Sequence, residues 1–176
     1  EREYIEWVKK RAEGGDALAI NELGYDYYDG LMGLPQHSTK AMELLLRAGE
    51  LGCAIAYYNI AQAYLLGEGE ERDEKKAKYY FELAAMGGDV DARHILGVME
   101  WNAGNAERAI KHFMISAGAG YDNSSKKIRE CFMSGHATKD DFEKALRAHK
   151  ESKDEMKSDQ REAAAAAVSP DGTIHM

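Results

Sequence analysis

The sequence predicts an all-α fold: an α-solenoid, a right-handed superhelix of stacked helix-turn-helix hairpins, which ends in a long C-terminal capping helix. A first motif recurs four times and consists of a small residue, an apolar residue four places on, an aromatic position at eight and usually Gly at eleven. Its copies begin at Ala19, Ala56, Ala92 and Ser124, with spacings of 37, 36 and 32 residues. A second motif follows each copy and begins at Ala41, Ala77, Ala109 and Ala145. Repeats of this length are typical of stacked helical hairpins.

Length, composition and charge narrow the class of protein. The chain has 176 residues, of which 44% are hydrophobic, enough for one domain with a buried core. The net charge of −8 argues against a nucleic-acid partner, because binding to phosphates needs Lys and Arg. Every apolar run is too short to cross a bilayer, so we expect no membrane partner. Cys53 and Cys131 are expected to be small buried residues in a reducing compartment, the cytoplasm or nucleus.

Residues 1–15 resemble the second half of a repeat. Tyr4, Trp7, Ala12 and Gly15 correspond to Ala77, Tyr80, Ala85 and Gly88 of the second repeat. A solenoid needs polar helices at its ends, so this segment predicts either further repeats upstream or an exposed apolar strip on the first helix. Because the chain does not begin with Met, the sequence leaves open whether Glu1 is the true terminus.

The rest of the chain divides at the closing glycines of the repeats. We predict repeat 1 at 16–52, repeat 2 at 53–88, repeat 3, with a short loop, at 89–120, a degenerate repeat 4 at 121–153, a helix extension at 154–168 and a disordered tail at 169–176. Gly24 and Gly97 fall inside helices, where Gly costs about 1 kcal/mol relative to Ala, which predicts close helix packing there. The predicted N-caps are Asp73, Asn105 and Asp141. In the first repeat His37 stands at this position, and Ser38 and Thr39 are expected to cap the helix instead.

Met156 stands where earlier repeats have a closing Gly, so a single helix is expected from about Asp141 to Val168. Between Lys150 and Glu162 this helix is almost entirely charged, which predicts a solvated capping helix. A partner-binding coiled coil is the alternative, but the heptad apolar positions are missing.

The second repeat carries the pattern most fully. Its residues include Ala56, Ile60, Ala61, Tyr64, Gly67, Asp73, Lys76, Ala77, Tyr80, Phe81, Ala84, Ala85 and Gly88. This pattern resembles the repeat unit of the SEL-one-like repeat (SLR) family, a relative of the tetratricopeptide repeats, and the resemblance covers about residues 1–153. It implies a non-catalytic scaffold or adaptor for protein-protein interaction. Two alternative functions remain. In these the chain is either the repeat segment of a ubiquitin-ligase-type or signalling protein with an upstream zinc-binding domain, or a hydrolase.

In the related tetratricopeptide hairpin the first helix of each repeat lines a concave groove that binds a peptide or protein segment. Carried over by position, the predicted groove residues are Asn21, Tyr25, Tyr28, Tyr58, Gln62, Leu65, His94, Val98, Trp101, Lys126, Glu130 and Met133. Aromatic residues at such positions are typical of binding hot spots. The alternative is that they pack between neighbouring repeats.

The sequence offers no clear chemistry for catalysis or metal binding, so we expect no catalytic residue, metal or cofactor. The His and Cys residues lack the spacing of a metal site. His112 and His149 occupy second-helix positions where core packing is expected. Gly67-Glu68-Gly69 resembles the start of a phosphate-binding loop, but neither the third Gly nor the P-loop Lys follows. The partner's identity and the oligomeric state are left open.

Overall fold

The computed structural model describes residues 2–67 and 71–166, with side chains described through residue 160, and this part of the chain is built from helices without a strand. The helices are α1 (Arg2–Glu13), α2 (Ala17–Asp29), α3 (Ser38–Glu50), α4 (Ala54–Leu66), α5 (Glu74–Met86), α6 (Val90–Asn102), α7 (Ala106–Gly118), α8 (Asp122–Met133) and α9 (Lys139–Ala166). The predicted all-α class is thereby confirmed. The predicted tail at 169–176 lies outside the described residues, as does most of the Gly67-Glu68-Gly69 segment.

The chain forms two compact units, residues 1–96 and 97–176. In the first unit α2 pairs with α3 and α4 pairs with α5, while α1 packs on α2 and α3 packs on α4. In the second unit α7 packs on α8 and α9, and α8 packs on α9. Each unit therefore has its own set of packed helices.

Small residues lie where the helices pack. The residues that begin the two motifs are almost completely buried: Ala19, Ala56, Ala92, Ser124, Ala41, Ala77, Ala109 and Ala145. A Cβ atom added to Gly24 would lie 3.0 Å from Cγ of Leu45, and one added to Gly97 would lie 2.5 Å from Cε1 of Phe113. The predicted close packing at both glycines is therefore confirmed.

The helix N-termini agree with the predicted caps only in part. Asp73 accepts hydrogen bonds from the backbone N–H groups of Lys75 and Lys76, as predicted. The α3 cap is His37 itself, whose Nδ1 accepts from the N–H of Lys40 at 3.3 Å. Ser38 and Thr39 lie inside the helix, so their assignment as caps was wrong.

Asn105 and Asp141 are further corrections. Asn105 precedes α7, but its Nδ2 donates to Oε2 of Glu100 at 2.7 Å, and its side chain makes no capping bond. α9 begins before Asp141, because Thr138 and Asp141 form a reciprocal pair. The N–H of Asp141 donates to Oγ1 of Thr138, and the N–H of Thr138 donates to the Asp141 carboxylate. This capping box replaces the single Asp cap expected from the sequence.

The long C-terminal helix is present, and its described residues from Lys150 to Gln160 are mostly exposed. Met156 lies against the closing turn of α7, since a Cβ added to Gly120 would come within 2.8 Å of its Cε. His149 was predicted to pack in the core, but its Nε2 lies 2.9 Å from Oδ1 of the exposed residue Asp122. Hydrogen bonds from Lys153 and His149 hold the pKa of Asp122 below its usual value.

On α1, Tyr4 and Trp7 are 40% and 51% exposed. An exposed apolar surface on this helix was one of the two alternatives expected from the sequence. Cys53 and Cys131 are buried and make no disulfide, as expected for small core residues.

Candidate functional site

A cavity of about 310 Å³ in the first unit is lined by α2, by α4 and by Leu45 of α3, and we call it the α2–α4 cavity. Its lining residues are Tyr25, Tyr28, Asp29, Leu45, Tyr58, Asn59, Gln62, Ala63 and Leu66. Four of these were predicted as groove residues from repeat geometry, namely Tyr25, Tyr28, Tyr58 and Gln62. The structure therefore brings residues from two successive repeats to one concave site.

Helical spacing places these side chains together. Tyr25 and Tyr28 are three residues apart on α2, and Tyr58 and Gln62 are four apart on α4, which puts each pair on one helix face. Nε2 of Gln62 donates to the hydroxyl of Tyr58 at 2.9 Å. The Tyr58 ring meets the buried Phe81 ring edge-on, with centroids 5.6 Å apart. These contacts hold Tyr58 in place at the cavity wall.

Asn59 connects the two helices beside the cavity. Its Nδ2 donates to Oδ1 of the predicted groove residue Asn21 at 3.0 Å. Sequence reasoning missed Asn59, although its position offered a signal: it lies 38 residues after Asn21, one more than the spacing between the first two repeats. An amide side chain at each of these two positions allows a hydrogen bond between the first helices of neighbouring repeats, here α2 and α4.

The electrostatic setting of the cavity is acidic. α2 contains three acidic residues and no Lys or Arg, and α4 contains no charged residue. A hydrogen bond to Asp29 raises the pKa of Tyr25 above its usual value. Burial, and then the negative charge of Asp91, raises the pKa of Tyr58. Both phenols are therefore neutral at physiological pH, and they present aromatic faces beside carboxylates.

The remaining predicted residues of the first unit lie elsewhere. Leu65 is half-buried, and its neighbour Leu66, which is 59% exposed, lines the cavity. His94 on α6 is also half-buried. Asp29 was not predicted because it ends α2, where its carboxylate resembles an ordinary solvated surface charge.

In the second unit the predicted residues have diverse environments. Val98 packs on the apolar cluster that contains Phe113, so it contributes to the core. The Trp101 ring meets the His136 ring edge-on, with centroids 5.1 Å apart. Lys126, Glu130 and Met133 are exposed, and Glu130 forms an ion pair with the adjacent Lys127 at 2.7 Å. These residues line no described cavity with one another.

Among the side chains described at residues 2–67 and 71–160, no group of three or more His, Cys, Asp or Glu is placed to hold a metal ion. None of the helices found there combines the length and the apolar character needed to span a membrane.

Paired helices with small residues at their contacts, repeated along the chain, define a helical-repeat protein of the scaffold class. A family model of the Sel1 repeat matches residues 17–53 and 54–89. Residues 17–89 therefore contain two tandem Sel1 repeats, and the resemblance to the SLR family is confirmed.

Three similar proteins support this assignment. The ERAD-associated E3 ubiquitin-protein ligase component HRD3B of Arabidopsis thaliana is 28% identical over 113 residues, 64% of this chain. A protective antigen of uropathogenic Escherichia coli strains, which has an SLR fold, is 29% identical with a TM-score of 0.70. A Sel1 repeat protein from Oxalobacter formigenes is 28% identical with a TM-score of 0.74.

The two solved structures each cover 86% of this chain, which confirms the predicted solenoid class of the fold. The chain spans 18% of the plant protein's length, 33% of the Escherichia coli chain and 64% of the Oxalobacter formigenes chain. Family and fold together indicate a repeat scaffold for protein interaction.

Proposed function

We propose that this chain is a non-catalytic scaffold that binds an extended or helical peptide segment of a partner protein on the α2–α4 face. The single observation that carries the proposal is the cavity between these helices, where Tyr25, Tyr28 and Tyr58 converge from two successive Sel1 repeats. Repeat proteins present such surfaces to extended partners, because each repeat adds the same helix face.

The side chains of the cavity suit peptide binding. A tyrosine ring supplies a large contact area at a modest cost in side-chain entropy, and Tyr is enriched among interface hot spots. Tyr25 is 45% exposed, so a partner can reach it without unfolding the hairpin. Asn59 and Gln62 add amide groups that can hydrogen-bond to a peptide backbone. The wider predicted groove, from Asn21 to Met133, stays a prediction.

Selection from a random peptide library displayed on phage, with the purified chain as bait, tests the proposal. The affinities of the recovered peptides are then measured by fluorescence anisotropy for the wild type and for Tyr25→Ala and Tyr58→Ala. We expect each substitution to weaken binding at least about fivefold, because truncation of an energetically important interface residue costs more than about 1 kcal/mol.

Tyr79→Ala is the matched control. Tyr79 lies on α5, is 56% exposed and does not line the cavity, so its substitution should leave affinity unchanged. Circular dichroism of each variant checks that the helices remain folded. Equal affinity of all three variants and the wild type would show that the peptides bind another surface.

The similarity to HRD3B supports a second proposal, that the chain is the repeat segment of a ubiquitin-ligase-type assembly. Affinity purification of the native gene product, followed by a ubiquitin-transfer assay of the eluate, tests it. A purified complex without ligase activity would contradict it. The upstream zinc-binding domain and the signalling alternative stay predictions. A hydrolase activity would appear as turnover in a broad substrate screen.

We also propose a cytoplasmic or nuclear location, which the unpaired buried thiols of Cys53 and Cys131 support. Imaging of the tagged native gene product tests it, and a signal confined to a secretory compartment would contradict it.

A further inference from the structure

The side chains that line the α2–α4 cavity favour a positively charged ligand. Three phenol rings, one carboxylate and two amides line it, together with the apolar side chains of Leu45, Ala63 and Leu66. None of the described residues that line it is basic. Aromatic faces attract cations through the ring quadrupole, and a carboxylate adds a direct charge attraction.

Elsewhere in the same unit, tyrosine rings are covered by the chain's own lysines. Nζ of Lys40 lies 4.1 Å from the centroid of the Tyr27 ring, and Nζ of Lys76 lies 4.8 Å from that of Tyr64. The two pairs occupy corresponding positions in successive repeats. The described lining of the α2–α4 cavity, which Tyr25 and Tyr58 share, includes neither Lys nor Arg.

Acidic residues in and near the cavity also favour a positively charged ligand. Asp29 forms part of the lining, and Asp91 lies close enough to Tyr58 to raise the pKa of its phenol. With no basic residue on α2 or α4, this face presents a negative potential to an approaching ligand.

We propose that the cavity receives the guanidinium group of an arginine side chain in the bound peptide. This inference rests on the proposed function and specifies the partner's chemistry. Arginine fits better than lysine, because its planar group stacks on aromatic rings and carries five N–H donors. The acceptors around it are the Asp29 carboxylate, the tyrosine hydroxyls and the amide oxygens of Asn59 and Gln62.

Small probes test the inference without a known partner. The isotope-labelled full chain is titrated by NMR with N-acetylarginine methylamide, and separately with the citrulline and lysine analogues. Citrulline keeps the shape of arginine but is neutral. Titration extends to about 10 mM, because a contact worth a few kcal/mol corresponds to a millimolar dissociation constant. We expect the largest shifts at the cavity lining, which lies on α2, on α4 and at Leu45 of α3. Citrulline should bind at least about fivefold more weakly than arginine.

Variants connect the shifts to the cavity. Tyr25→Ala and Asp29→Asn change exposed residues, so both should fold, and each should weaken the arginine probe about two- to fivefold. Tyr58→Ala should have a larger effect, but Tyr58 also packs on Phe81. The matched controls are Tyr79→Ala and Glu82→Gln, exposed residues of α5 that should leave binding unchanged.

Three outcomes would overturn the inference: equal binding of arginine and citrulline, no binding by 10 mM, or largest shifts at residues that do not line the cavity. Tighter binding of lysine than of arginine would overturn the choice of guanidinium. Selected peptides that bind the cavity without a basic residue would also refute it, yet they would leave the proposed function standing. Peptides that bind another surface would refute the proposed function instead.

Discussion

The close approach of α6 and α7 at Gly97 provides a quantitative test of the packing. A Cβ atom added at Gly97 would lie 2.5 Å from Cε1, 2.7 Å from Cδ1 and 3.1 Å from Cζ of Phe113. Carbon atoms pack best at about 3.5–4.0 Å, so the ring or the helix must move by about 1 Å. Phe113 is only 1% exposed and is surrounded by its core cluster, so it has little room to retreat.

The expected cost of Gly97→Ala follows from two opposing effects. Overpacking a core costs about 1–3 kcal/mol, whereas replacing Gly by Ala inside a helix contributes up to about 1 kcal/mol of stability. The overlap with three ring atoms favours the overpacking term, so we expect a net loss of about 1–2 kcal/mol in the free energy of unfolding. Urea denaturation followed by circular dichroism measures it.

Gly118→Ala is the matched control in the same unit, since its added Cβ would meet Ala148 Cβ at an ordinary 3.6 Å. It should be neutral or slightly stabilising. Phe113→Leu should relieve the overlap, so the double variant with Gly97→Ala should lose less stability than the two single losses combined. If Gly97→Ala is as stable as Gly118→Ala, the packing argument is refuted.

Two further predictions concern caps and charge. Thr138→Ala should lower the free energy of unfolding by about 1 kcal/mol, because it removes the Oγ1 atom that accepts from the N–H of Asp141 at the start of α9. Thr39→Ala in α3 should have no such effect, and equal urea midpoints for the two variants would contradict this. Burial, and then the charge of Glu22, raises the pKa of Asp26, whose Oδ2 has no hydrogen-bond partner among the described residues. The folded state therefore binds the proton more tightly, and stability falls as pH rises from about 4 through the raised pKa. Asp26→Asn should accordingly be more stable than the wild type at pH 7, with the difference vanishing toward pH 4. Urea denaturation curves between pH 4 and pH 7 measure this difference, and the exposed control Glu82→Gln should show no such gain in stability. An unchanged urea midpoint for Asp26→Asn at pH 7 would contradict the reasoning.

The repeated part of the fold could be predicted from sequence because its signals are local. The small residue at the start of each motif, Ala or Ser, is buried, and the two mid-helix glycines mark close approaches between helices. Helix starts were harder, because several nearby residues can cap the same helix. Thr138 supplies the α9 cap three residues before Asp141, and no periodic pattern distinguishes these two choices.

The candidate site could be predicted only in part. Position in the repeat selects the helix face, which was enough to find the tyrosines of α2 and α4. It does not tell which neighbours complete a cavity, because that depends on the contact between two helices. Asn59 and Asp29 belong to the lining for this reason, although neither stood out in the sequence. The same rule selected Val98, which the structure places against the core of the second unit.

The most direct test of the central claim is chemical-shift mapping of the tightest selected peptide on the isotope-labelled full chain. The account predicts that the largest shifts fall on the cavity residues of α2 and α4, with Tyr25, Tyr28 and Tyr58 among them. Largest shifts on α5 or α9, with the three tyrosines unaffected, would contradict it.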